Sequence, residues 1–117
     1  MEMQVVNEHD VQEVKTGRGY TKFLVQHKKG EGPSIMVRMW GPETDIPVHS
    51  HDFDEMFFVL RGEVEMGGKA YPEGSCIYIP KGVPYGPTRA PKGAHLLRYV
   101  EGGKGTALDP LASAERG

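Results

Sequence analysis

Cysteine is nearly missing from this chain of 117 residues, and so are long apolar runs and any excess of positive charge. With Cys76 alone, no internal disulfide can form, so the fold cannot rest on a disulfide framework and a reducing compartment is expected. No stretch approaches the roughly twenty apolar residues that a membrane helix needs. The amino terminus lacks the basic-then-apolar pattern of a secretory signal. A cytoplasmic protein with no membrane partner is therefore expected. The balance of 14 basic against 16 acidic side chains, a formal charge of -2, offers no broad field to gather phosphate backbones, so nucleic acid is not an expected partner. The longest basic stretch, His27-Lys28-Lys29, adjoins Gly30-Glu31-Gly32-Pro33 and reads as a solvated turn.

Helix-length segments are scarce as well. With Gly 16 and Pro 9 the chain is cut into short pieces, below the ordinary length of a globular helix. Strands fit such pieces. Segments 20–27, 34–40, 55–61, 63–66, 75–79 and 94–100 are rich in β-branched and aromatic residues and bounded by Gly, Pro or Asp. Glu63-Val64-Glu65-Met66 alternates polar with apolar, and Gly67-Gly68 follows as a hairpin turn. Met56 to Leu60 is apolar throughout, which predicts cover on both faces. Only 109–115 reads as a helix, with Asp109 as cap and Pro110 in the first turn, and it reads equally well as a tail. No repeat or linker marks a boundary, so one domain over 1–117 is expected, its core at about 20–100.

The chemically informative stretch runs from Gly41 to Gly62. His49 and His51, two residues apart, project from one face of an extended chain, so both imidazoles can converge on one ion. Asp52-Phe53-Asp54 is turn-prone and lets Glu55 return beside them with a carboxylate. Two imidazoles and a carboxylate fill part of a divalent ion's coordination sphere and leave positions open for water, oxygen or a substrate. The His-x-His tripeptide by itself also arises by chance on a strand.

The wider pattern separates the two. His49, His51, Glu55 and Gly62 at these intervals, followed by Gly74, Pro80 and Gly82, resemble the two motifs of the cupin superfamily over roughly residues 34–100. The resemblance implies an all-β, double-stranded β-helix (jelly-roll) barrel. Gly62, Gly74 and Pro80-Lys81-Gly82 are then shaping residues that supply turns and positive φ. The resemblance further implies a divalent transition metal held by His49, His51 and Glu55. Iron is the first candidate, and manganese, nickel or zinc are alternatives. It also implies a homodimer.

Two departures accompany the match. Seven residues separate Gly41 from His49, more than in the family pattern, and Tyr85 stands where a third ligating histidine usually falls. Tyr85 has three possible roles: a phenolate ligand, a neutral phenol that donates a hydrogen bond or a proton to a bound oxygen, or a packing residue at the barrel mouth. His95, expected to face inward with Leu97 and Tyr99, is the other route to a fourth ligand. Asp54 is an alternative to Glu55 or a partner for an imidazole N–H. Cys76 is expected to be a small buried hydrophobe, and His9 and His27 to lie on the surface. Arg38, Trp40 and Arg98 are pocket candidates whose facing alternation does not decide.

Three functions follow. A metalloenzyme of dioxygenase, isomerase, cyclase or lyase type would act on a small oxygenated molecule, with Tyr85 and Glu55 as catalytic groups. A second possibility is a non-catalytic module that binds or senses a small ligand. A metal-free barrel enzyme with a histidine base is the third, and two histidines aimed at one point argue against it.

Overall fold

A computed structural model of the chain describes residues 2–28 and 30–101. Among these residues a 3-10 turn at Glu8–Asp10 is followed by nine strands: β1 Val14–Thr16, β2 Gly19–Val25, β3 Ser34–Trp40, β4 Asp45–Ile46, β5 Asp54–Met66, β6 Lys69–Pro72, β7 Cys76–Ile79, β8 Thr88–Arg89 and β9 Ala94–Glu101. Every pairing among them is antiparallel. The strands follow the path β1-β2-β3-β9-β5-β8-β4, and β6 and β7 also pair with β5. This is the curled antiparallel architecture of a jelly-roll barrel. No helix among the described residues is long and apolar enough to cross a membrane.

β5 joins the two halves. Its first part pairs with β7 and β9, and its last part with β6 and β8. The separate strands expected at 55–61 and 63–66 are thus one strand of 13 residues, bent rather than broken at Gly62. Gly62 has φ +80, and a Cβ there would lie 2.5 Å from the Gly93 carbonyl oxygen. Only glycine combines that backbone angle with so close a neighbour. The register against β9 also shifts between Val59 and Arg61, which eases the bend. Beyond it the expected hairpin forms, with Gly67 and Gly68 both at positive φ.

Alternation sorts the long strands into an inner and an outer face. On β3 the buried set includes Ser34, Met36, Arg38 and Trp40; on β9 it is Ala94, Leu96, Arg98 and Val100; on the first half of β5 it is Glu55, Phe57 and Val59. Trp40, Phe57, Val59 and Leu96 belong to the main apolar cluster with Ile46, Val64 and Ile79, while Met36, Phe53 and Val100 form a second one. Each fully buried aliphatic or aromatic side chain of this kind contributes about 1.5–3 kcal/mol over its exposed state.

Two expectations are corrected here. The Met56 to Leu60 run is not covered on both faces: Phe57 and Val59 are buried, while Phe58 is 36% and Leu60 39% exposed. Cys76, paired opposite Phe58, is likewise exposed rather than a buried hydrophobe. Strands β1, β4 and β8 are too short to leave a periodic signal. The segment expected as a helix at 109–115 lies outside the described residues.

Candidate metal centre and barrel interior

The two sequence motifs meet through backbone hydrogen bonds. His49 and Tyr85 form an antiparallel bridge, with His49 N donating to Tyr85 O at 3.1 Å and Tyr85 N to His49 O at 2.9 Å. Gly82 N donates to His51 O at 2.8 Å, and Lys81 N donates to Asp54 Oδ1 at 2.9 Å. Four contacts therefore fasten the Pro80-Lys81-Gly82 turn and Tyr85 along the histidine loop. Asp54 serves that turn with its carboxylate.

The histidine side chains converge. Their Nε2 atoms lie 3.1 Å apart and their rings meet edge to face with centroids 4.8 Å apart. His49 Nδ1 lies 2.8 Å from the Pro47 carbonyl oxygen. A carbonyl only accepts, so Nδ1 is the donor, and in the neutral imidazole Nε2 is then the nitrogen that presents a lone pair. Two nitrogens bound at about 2.1 Å and at right angles to one another lie about 3 Å apart. The pair therefore fits two adjacent positions of one ion. His51 is stacked on Phe53 with centroids 4.5 Å apart, and Tyr85 packs on His49 at 4.7 Å.

Glu55 is held differently. It is 1% exposed, and its Oε2 accepts from Arg98 Nε at 2.5 Å and also contacts Arg98 Nη2. Arg98, itself 1% exposed, lies with its guanidinium 5.7 Å from the Phe53 ring centre and 5.6 Å from that of Phe57. Glu55 Oε1 is buried and has no hydrogen-bond partner among the described residues. No three His, Cys, Asp or Glu side chains gather at metal-binding distance among the described residues. The structure thus brings together the two histidines and Tyr85, and it sets Glu55 in an ion pair with Arg98.

Tyr85 links these parts. Its phenol pKa is raised above the ordinary value of 10, first by burial and then by the negative charge of Glu55. In the metal-free chain the phenol is neutral. Donating a hydrogen bond and packing against His49 and Phe57 are the two roles that need no ionisation.

His95 is not in this group. It belongs to the outer set of β9 with Leu97 and Tyr99, opposite in parity to the inner Arg98, and it is exposed among Glu8, His9, Glu13 and Arg61. The expectation that it faces inward is corrected by the register of β9: Ala94, not His95, is the residue that pairs Trp40 on the inner face.

The interior also holds charge that the motifs did not announce. Arg38, 2% exposed, stands opposite Leu96, Arg98 stands opposite Met36 and Phe57, and Glu55 stands opposite Val100. Arg38, Arg98 and Glu55 therefore step diagonally across one face of three adjacent strands. The guanidinium of Arg38 lies 5.6 Å from the Trp40 ring centre. Its Nε and the Trp40 Nε1 are both buried without a partner among the described residues. Burial, and next the positive charge of Arg98, lower the Arg38 pKa to about 9, so it remains a cation at neutral pH. The signal available in the sequence was an arginine within each of two mostly apolar strand segments, with its facing left open.

A family model describing the ChrR cupin-like domain matches residues 1–115. The chain belongs to the cupin family. No curated protein sequence matches this cupin. Among solved structures it is similar to an RmlC-like cupin from Shewanella frigidimarina, with TM-score 0.71 and 17% identity over 85% of this chain and 90% of that one. It is also similar to the polyketide cyclase RemF from Streptomyces resistomycificus, with TM-score 0.67 and 18% identity over 90% and 82% of the two chains. A third similarity is to the oxalate decarboxylase of Bacillus subtilis, described with Mn(II) centres, with TM-score 0.63 and 18% identity over 91% of this cupin but 32% of that chain. At these identities the likeness concerns the fold.

Proposed function

We propose that this cupin is a metal-dependent enzyme acting on a small oxygenated molecule, with one divalent transition ion held by His49 and His51. One observation carries the proposal: two Nε2 atoms 3.1 Å apart, with the His49 ring fixed by its Nδ1 contact to Pro47. Glu55 Oε1, buried and unpartnered, is the carboxylate oxygen left for a third position, and Arg98 fixes the orientation of that carboxylate. Iron is the first candidate and manganese, nickel or zinc the alternatives, because two imidazoles and a carboxylate form the donor set of non-haem iron oxygenases. When bound, such an ion polarises a substrate oxygen and, if iron, supplies oxygenase chemistry.

The chain's own groups have separate tasks. Tyr85, neutral and beside His49, donates a hydrogen bond or a proton to a substrate oxygen. Trp40, Phe53 and Phe57 wall the interior and exclude water. Dioxygenase, isomerase, cyclase and lyase reactions all suit this arrangement, and two proteins of similar fold carry the names of a cyclase and a decarboxylase. A second copy of the chain, seated on the exposed outer row of Phe58, Leu60 and Tyr78, belongs to the same proposal.

A non-catalytic ligand-binding module is the second reading. The ion pair of Glu55 with Arg98 favours it, since one oxygen of the inner carboxylate already serves a contact within the chain. Turnover separates the two: metal-loaded protein is assayed against diketones, catechols, hydroxy acids and sugars. Product from any class supports the enzyme, and bound metal with no turnover across the panel supports the module.

A further inference from the structure

We infer that the barrel interior receives the carboxylate group of a small organic anion, with the Arg38 guanidinium as its main partner. The inference deepens the function proposed above by naming a ligand class. It rests on that proposal for where the rest of the ligand lies, but not for the anion site itself.

The buried charges do not balance. Among the described residues the buried charged side chains are Arg38, Glu55 and Arg98, two positive and one negative. Arg98 takes Glu55, and both of its contacts fall on one oxygen of that carboxylate. Among the described residues Arg38 has no carboxylate in contact, and its neighbour on the same face of β3, Trp40, leaves a second buried N–H unpartnered. Isolated charges are expelled from protein interiors unless they are paired and hydrogen-bonded. A charge kept there at such a cost, beside a second free donor, points to a partner that arrives from outside.

The chemistry of the gap selects the ligand. A surplus of one positive charge is neutralised by one negative charge, which a carboxylate carries and a phosphate dianion exceeds. The planar guanidinium fork matches the two oxygens of a carboxylate. The walls beside it, Trp40 and Phe57, are aromatic and suit an organic body rather than a bare inorganic ion.

The test uses the full chain freed of metal by chelation, with sodium acetate as probe and sodium chloride at equal ionic strength as control. Acetate should bind saturably in calorimetry and raise the thermal midpoint with concentration, as a ligand specific to the native state does. Arg38→Met should weaken acetate at least tenfold. Arg38→Lys, which keeps the charge and loses the fork, should weaken it at least threefold and decides the matter if the methionine variant does not fold. The pair His49→Ala and His51→Ala should keep acetate binding, so failure of the metal proposal shows as lost metal and failure of this one as lost acetate. Equal acetate affinity in the wild type and the Arg38 variants would overturn the inference. So would the absence of saturable binding in the folded wild type, or an Arg38-dependent preference for inorganic phosphate over acetate.

Discussion

Glu55 shows how one buried side chain is given two different ends. Oε2 is occupied by two nitrogens of Arg98, while Oε1 has no partner among the described residues. Arg98 thus orients a carboxylate whose other oxygen still has a lone pair to offer. Tyr85 feels that carboxylate as well, since its phenol holds its proton beyond the ordinary range because of burial and the Glu55 charge. The sign of the resulting pH dependence is fixed. An unfolded tyrosine ionises near 10 while the native one stays neutral, so its contribution is fully present below pH 10 and is lost as pH rises above it. Urea unfolding of metal-free protein at pH 8 and pH 11 should therefore show the wild type losing about 1.4 kcal/mol more than Tyr85→Phe over that interval. Equal losses would mean that Tyr85 titrates alike in both states.

At the scale of elements, β5 is the strand that ties the halves of the barrel together. It carries Glu55 at its start, bends at Gly62, and pairs with four other strands. Gly62→Ala adds a Cβ at a positive φ and 2.5 Å from the Gly93 carbonyl oxygen, and should cost about 1–3 kcal/mol in chemical unfolding. Gly68→Ala is the control, with positive φ but nothing within 4 Å. An equal cost for the two would show that backbone angle alone, not close approach, sets the price at the bend. Much of this was legible beforehand. The strand segments, the Gly67-Gly68 hairpin, Gly62 as a shaping residue and the family itself all leave periodic or motif signals. What stayed hidden depends on register. His95 and Arg98 sit on opposite faces of β9, and a one-residue change of parity exchanges them. Arg38 and Arg98 are pocket candidates whose facing stays undecided until the neighbouring strands fix which face is inside. The Glu55–Arg98 pair spans 43 residues of sequence and follows from no local pattern.

For the molecule as a whole, the outer surface of β5 and β7 is the conspicuous remainder. Phe58, Leu60 and Tyr78 are 36%, 39% and 62% exposed on a face whose opposite side is packed. Covering such a row by a second copy removes apolar area from water. Light scattering on the size-fractionated protein should give twice the 12.9 kDa chain mass, and Phe58→Glu should shift it to the monomer. A monomeric wild type at the concentrations used for spectroscopy would contradict this.

The most direct test of the central claim is elemental analysis of protein purified without a histidine tag, beside the double variant His49→Ala, His51→Ala. About one transition-metal ion per chain in the wild type, and none in the folded double variant, is the predicted result. Wild-type protein that takes up no iron, manganese, nickel or zinc, or a double variant that binds as much as the wild type, would contradict it.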